Sequence, residues 1–159
     1  MFSYEDITDP LCVKSRAGFV ILVAGCPVIW KSKLQGEIAL STMQAEYQAL
    51  SLSLRDLLPF ITLVKSIYHL TGSKDPSSLI KTTVYEDNAG ALTLAQMEPG
   101  RVTPRSKHYA VKFHWFRSQL KPNNIMVEKI ETTNQLADMF TKPLKSIRFK
   151  YLRKELLGW

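Results

Sequence analysis

Residues 17–31, AGFVILVAGCPVIWK, contain two short apolar runs on either side of a turn signal. The runs at 17–24 and 27–31 are rich in β-branched residues, which favour strands over helices. The residues GCP at 25–27 stand between the runs and are typical of a tight connection. This segment therefore predicts two antiparallel strands.

A helical pattern replaces the strand pattern from Met43 onwards. ALST at 39–42 predicts a short third strand, and Ser41 or Thr42 is a suitable N-cap for the helix that follows. Apolar residues then recur at helical spacing for several turns. Pro59 interrupts this pattern, so we expect either two helices or one bent helix.

The second half of the chain alternates strands and helices. The predicted elements are a strand at 81–86, helices at 89–96 and 106–120, a strand at 125–130, a helix from Thr133 or Asn134 that carries Asp138 and breaks at Pro143, and a tail helix at 147–157 whose apolar residues are Phe149, Leu152 and Leu156. This order predicts a mixed α/β fold. We expect one domain over residues 1–145, followed by an amphipathic helix over 146–159.

Size and composition indicate a globular intracellular protein. The chain has 159 residues, of which 45% are hydrophobic, and this suffices for one domain with a core. The acidic N-terminus is no signal peptide, and the apolar run at 19–30 is too short to cross a bilayer. Cys12 and Cys26 have no metal-ligand spacing, which favours a reducing compartment.

Positive charge is concentrated in the last third of the chain. Residues 1–100 carry 8 basic and 10 acidic side chains, whereas residues 101–159 carry 13 basic and 4 acidic ones. Aromatic side chains are interleaved with the basic ones between residues 107 and 117. This pattern favours contact with a nucleic-acid backbone, and the alternative is a helix face that only solvates the protein.

Three carboxylates occupy positions that can bring them together. One lies on an apolar helix face, and the other two lie at the ends of predicted elements. Glu46 shares a helical stripe with apolar residues, Asp87 follows a strand, and Asp138 lies near a helix start. Each has an ordinary alternative, because Glu46 can reach solvent and the two aspartates can serve helix N-termini. Together they suit a divalent-metal site, since hard cations take oxygen ligands from several elements.

Longer phrases resemble a known family. They are SRAGFVILVAGCPVIWKSKLQGEIALSTMQAEYQALS, EDNAGALTLAQ, TPRSKHYAVKFHWFR and IETTNQLADMFTKPL, in that order. Over residues 9–145 the chain resembles the ribonuclease H domain at the C-terminal end of copia-type retrotransposon Pol polyproteins.

The resemblance implies a ribonuclease H-like mixed sheet flanked by helices, and hydrolysis of the RNA strand of RNA/DNA hybrids. Glu46, Asp87 and Asp138 would be catalytic acids that hold two Mg²⁺ or Mn²⁺ ions. Hybrid contacts are expected from Asn88, Arg105, Lys107, His108, Lys112 and Arg117. The expected partners are the hybrid and an upstream reverse transcriptase of the same polyprotein, with no membrane and no small-molecule cofactor. The expected location is a cytoplasmic virus-like particle, the nucleus, or both.

One family feature is missing from the pattern. The family's first acid lies on a strand upstream of the segment that corresponds here to residues 8–10. The aspartates nearby, Asp6 and Asp9, belong to the loop after that strand. We therefore expect an N-terminally truncated domain without its first strand. We expect it to be weak or inactive on its own, because removing one member of a cooperating set of catalytic groups can lower the rate by orders of magnitude.

Other interpretations share most of these motifs. The chain could be a non-catalytic nucleic-acid-binding remnant of a retrotransposon polyprotein, which would differ from the enzyme in lacking metal-dependent cleavage. It could also be an interaction module in which the acids are helix caps. An integrase or transposase is disfavoured, because the acids of those enzymes occur in different phrases.

Overall fold

A computed structural model describes residues 14–72, 75, 79–98 and 110–159, with side chains from residue 115 onwards in the last range. The chain divides into two compact units. Unit 1 comprises residues 1–49 and 131–159, and unit 2 comprises residues 50–130. The domain boundary predicted at residue 145 concerns independent folding and stays a prediction.

Unit 1 begins with the predicted hairpin. Strands β1 (Arg16–Val23) and β2 (Cys26–Leu34) pair antiparallel. The turn lies one residue earlier than predicted, at Ala24 (φ 49°) and Gly25 (φ 82°). Two left-handed residues form the loop whose twist matches that of the flanking strands, which explains why the chain turns here. Pro27 belongs to β2, close to a register shift, where a missing backbone N–H is tolerated.

Helix α1 (Thr42–Leu70) starts at a capping motif rather than after a strand. Gln44 N donates to Ser41 Oγ at 3.1 Å, which confirms Ser41 as the cap. The Gln44 side chain accepts from Leu40 N at 2.7 Å. The predicted strand at 39–42 is therefore wrong, because this backbone bonds to the helix start. Pro59 lies inside α1, so the alternative of two helices is also wrong.

Unit 2 contains a parallel strand pair with two intervening helices. Its elements are β3 (Thr82–Glu86), α2 (Ala89–Gln96), α3 (Ala110–Leu120) and β4 (Ile125–Lys129). β3 and β4 pair in register from Thr82↔Ile125 to Glu86↔Lys129. The buried apolar side chains of these elements are Ala91, Leu94, Ala95, Phe116, Ile125 and Val127. The predicted strands and helices of this region are confirmed in the part described.

The strands in the described ranges form two separate sheets of two strands each. One sheet is antiparallel and the other parallel, so the mixed α/β class is confirmed. A single ribonuclease H-like mixed sheet is not observed among these strands, and that arrangement stays a prediction.

The segment that carries Asp138 is not the predicted α-helix. It forms two 3₁₀ helices, Thr132–Asn134 and Leu136–Phe140, separated by Gln135 in an extended conformation (ψ 101°). The second 3₁₀ helix packs on β1, where a Cβ added to Gly18 would lie 2.8 Å from Phe140 Cβ. This packing leaves no room for bulk on Gly18. The extended Gln135 interrupts the segment, so one continuous α-helix does not form.

The chain ends in helix α4 (Ser146–Leu157), as predicted. Leu152 and Leu156 are buried in unit 1, whereas Phe149 is 43% exposed and does not belong to the buried face. Gly158 (φ 80°) ends the helix in the left-handed conformation that glycine adopts readily. None of the helices among the described residues is long and apolar enough to cross a membrane.

Candidate functional sites on the two units

The turn between β3 and α2 in unit 2 is built by three polar residues in succession. Glu86 ends the strand, is 4% exposed, and accepts a hydrogen bond from Asn88 N at 2.9 Å. Asn88 is the N-cap of α2, and its Oδ1 accepts from Ala91 N at 3.0 Å. The two side chains on either side of Asp87 thus fix the backbone that carries it.

Asp87 itself is half-buried, and no hydrogen bond or ion pair joins its carboxylate to another residue of the described ranges. It follows the carboxyl end of a strand in a parallel pair, the end of the sheet where α/β proteins commonly bind ligands. The N-cap of α2 is Asn88 rather than Asp87, so the Asp87 carboxylate does not cap this helix.

Asp138 in unit 1 has a different environment. Its side chain is 7% exposed, and Lys142 Nζ lies 2.8 Å from its Oδ1. The Arg148 guanidinium in α4 forms an ion pair with its Oδ2 and also donates to the Thr132 carbonyl. Both carboxylate oxygens therefore have a cationic partner, and Arg148 ties α4 to both 3₁₀ helices.

Glu46 is the fifth residue of α1. Its side chain is half-buried and has an interaction partner within the protein. The next residue, Tyr47, is fully buried, and Leu50, one helical turn further along α1, is 5% exposed.

The fit of these acids to a two-ion centre can be tested residue by residue. Asp87 fits, because a half-buried carboxylate without a described partner can accept a divalent ion. Asp138 does not fit as it lies, because two cations occupy its oxygens and would repel a metal ion. Within the described part of the chain, no three histidine, cysteine or acidic residues are placed to hold a metal ion. The catalytic and metal-binding roles of the three acids stay predictions.

The expected hybrid-binding residues fall into three groups. Arg105, Lys107 and His108 lie outside the described residues, and so does the side chain of Lys112. Asn88 uses its amide oxygen as a helix cap. Arg117 is 5% exposed, and its Nη1 donates to the Glu98 carbonyl at 3.3 Å. Arg117 thus packs inside unit 2 instead of lying on the exposed basic surface that we expected.

Positive charge in the described residues is concentrated in unit 1 instead. The described ranges of unit 1 carry ten basic and five acidic residues, and those of unit 2 carry seven and six. The exposed lysines near or in α4 are Lys142, Lys145, Lys150 and Lys154. The signal that would have found them was already in the sequence, since the basic excess of residues 101–159 extends to the C-terminus.

Comparisons with known proteins now identify the relatives of this chain. It matches no known family model. No solved structure is significantly similar to it. Its similarity is to polyproteins encoded by transposable elements, and it extends over about 90% of the chain.

The relatives are retrotransposon Pol polyproteins. The chain is 32% identical over 145 residues to the retrovirus-related Pol polyprotein from transposon TNT 1-94 of Nicotiana tabacum, covering 91% of this chain and 10% of the relative. It is 28% identical over 142 residues to the polyprotein from transposon RE2 of Arabidopsis thaliana, covering 89% and 9%. A Ty1 Gag-Pol polyprotein of Saccharomyces cerevisiae is 27% identical over 139 residues, covering 87% and 7%. The chain thus spans about a tenth of the length of these relatives.

This chain is therefore homologous to one short segment of retrotransposon Pol polyproteins, which makes it a retrotransposon-derived domain.

Proposed function

We propose that this chain is the ribonuclease H-type segment of a retrotransposon Pol polyprotein. In the intact polyprotein it would hydrolyse the RNA strand of RNA/DNA hybrids, with Mg²⁺ or Mn²⁺ as cofactor and the reverse transcriptase as its neighbour. Its location would be the virus-like particle in the cytoplasm, the nucleus, or both. The observation that carries the proposal is homology to Pol polyproteins over about 90% of the chain.

The β3–α2 turn supports an acid at the position that catalysis would need. Asp87 follows a parallel strand, and its neighbours Glu86 and Asn88 use their own side chains to hold the backbone in place. These hydrogen bonds hold the backbone from which the carboxylate extends, which favours contact with a substrate at this end of the sheet.

The state of Asp138 limits the activity expected of this chain by itself. Its carboxylate is neutralised by Lys142 and Arg148, so it has no oxygen without a cationic partner. We therefore expect the isolated chain to bind RNA/DNA hybrid and to cleave it weakly or not at all. The same ion pairs favour the alternative of a non-catalytic nucleic-acid-binding remnant.

Cleavage of a labelled RNA/DNA hybrid in Mg²⁺ or Mn²⁺ tests the proposal. We would compare the wild-type chain with Asp87→Asn and with Glu128→Gln, a control that removes one exposed acid from the same unit. The expected result is hybrid binding by all three proteins, and slow cleavage that Asp87→Asn abolishes and Glu128→Gln retains. Binding by all three without any cleavage would leave the binding remnant as the function. A chain that binds no hybrid would overturn both.

A further inference from the structure

Helix α4 presents a face to solvent that combines lysines with an aromatic ring. Ile147, Lys150, Tyr151 and Lys154 follow the spacing i, i+3, i+4, i+7, which places them along one side of a helix. All four are exposed: Ile147 is 87% exposed and Tyr151 is 45% exposed. We call these four residues the α4 stripe.

The opposite side of α4 fixes the helix to unit 1. Leu152 is fully buried and Leu156 is 7% exposed, so the helix cannot turn its stripe inwards without losing this packing. Arg148 adds the ion pair to Asp138 at one flank. The Tyr151 hydroxyl donates to Asn134 Oδ1 at 3.1 Å, which holds the ring in place while its face stays exposed. The stripe is therefore displayed on a fixed support.

We propose that the α4 stripe is a binding surface for the phosphate backbone of a nucleic acid. Lys150 and Lys154 are one helical turn apart, about 6 Å along the axis, and point to the same side. Two lysines at that spacing can contact the phosphates of one strand, and the Tyr151 ring between them offers a surface on which an unpaired base or a sugar can pack. This inference rests on the proposed function, because it names a surface with which the same domain would hold its substrate.

The arrangement argues against a membrane as the partner. A helix that lies on a bilayer separates a cationic face from an apolar face and inserts the apolar one. In α4 the apolar residues Leu152 and Leu156 are buried in unit 1, and the exposed Ile147 lies on the same stripe as Lys150 and Lys154, so the cations and the exposed apolar residues do not form two separate faces. The charge of unit 1 adds to the attraction, since its described residues include twice as many basic as acidic side chains.

Fluorescence anisotropy with a labelled RNA/DNA hybrid, recorded at several salt concentrations, tests the α4 stripe. The test variant is Lys150→Gln/Lys154→Gln. The matched control is Lys81→Gln/Lys121→Gln, which removes the same charge from exposed positions of unit 2. Tyr151→Leu removes the ring, whereas Tyr151→Phe keeps it, and circular dichroism melting checks that each variant is folded.

The expected result for the α4 variant is a loss of about tenfold in affinity at low salt. The slope of log affinity against log salt concentration should also decrease by about two, because two phosphate contacts are lost. The unit 2 control should change affinity much less, and Tyr151→Leu should weaken binding more than Tyr151→Phe. Equal losses in the two double variants would overturn the proposal, because net charge alone would then explain binding.

Further arms separate this proposal from the proposed function. If the α4 variant binds the hybrid as tightly as the wild type does, the α4 stripe is not the binding surface, and the proposed function still stands. A chain that binds single-stranded RNA or duplex DNA through α4, but shows no binding to hybrid, would support the surface and overturn the substrate. Binding to anionic vesicles in place of any nucleic acid would overturn both.

Discussion

The acid at the end of β3 and the acid in the second 3₁₀ helix differ in what surrounds their carboxylates. Asp87 is half-buried and has no described partner, and the side chains beside it hold the backbone instead. Asp138 is buried and carries a cation on each oxygen. Both were predicted to be metal ligands, each from its own sequence phrase. The comparison shows that a motif gives the position of a carboxylate but does not show whether its charge is already neutralised.

The largest effect is expected from Asp138→Asn. It removes the charge that compensates Lys142 and Arg148, so we expect a loss of about 2–3 kcal/mol in the free energy of unfolding, less than for a fully buried pair because both cations are partly exposed. Urea denaturation measures it. Asp87→Asn is the comparison, with a change within about 0.5 kcal/mol. Equal losses in the two variants would contradict the difference between the two sites.

Gly18→Ala tests how tightly the Asp138 segment packs on the hairpin. The new Cβ would lie 2.8 Å from both Phe140 Cβ and Thr141 Cγ2, so we expect a loss of about 1–3 kcal/mol through overpacking. Thermal unfolding followed by circular dichroism measures this loss. Gly36→Ala is the control, because its added Cβ would have nothing within 4 Å. If both glycines tolerate alanine equally, the 3₁₀ helix does not pack on β1 as described.

A double-mutant cycle of Asp138→Asn with Arg148→Gln isolates the ion pair that joins α4 to the 3₁₀ segment. We expect a coupling free energy of about 1 kcal/mol, because the two groups are in direct contact and mostly removed from solvent. Replacing Arg148→Gln by Arg153→Gln gives the matched control, since Arg153 lies over the Trp159 ring instead. Additive effects for Asp138 and Arg148 would show that the pair does not stabilise the fold.

The smallest effect is expected at Asn88, the helix cap that follows Asp87. Asn88→Ala removes the N-cap of α2 and should lower the free energy of unfolding by about 0.5–1 kcal/mol, whereas Asn88→Ser retains an acceptor and should lower it less. Hydrogen exchange of the α2 amides measures this effect within unit 2. Unchanged protection of the Ala91 amide in the alanine variant would show that the turn around Asp87 does not depend on this cap.

Local signals in the sequence predicted much of the fold. The hairpin, the strands of unit 2, and helices α2 and α4 follow from β-branched runs, turn residues and helical spacing between neighbouring residues. The 39–42 strand failed because Gln44 bonds back to Leu40, a capping pattern that the sequence displays as S-x-x-Q and that we did not use.

The candidate site was less predictable because it depends on tertiary contacts. Nothing near Asp138 in the sequence shows that Arg148, a full ten residues away on another helix, pairs with it. The α-helix predicted there was wrong because the extended Gln135 interrupts the segment, and the contact of Phe140 with Gly18 on a distant strand is equally absent from the local pattern. The buried Arg117 likewise contacts the Glu98 carbonyl, 19 residues away in the chain, and propensity does not encode that contact.

The two strand pairs also imply different folding times. In the hairpin, Val23 pairs with Cys26 across a two-residue turn, so pairing needs only a short loop to close and can occur within microseconds. In the parallel pair, Thr82 meets Ile125, so a much longer loop must close before the first contact forms. On a ribosome, the hairpin can form well before the residues that complete the parallel pair have been synthesised. Rapid-mixing hydrogen exchange should therefore protect the β1 and β2 amides earlier than those of β3 and β4.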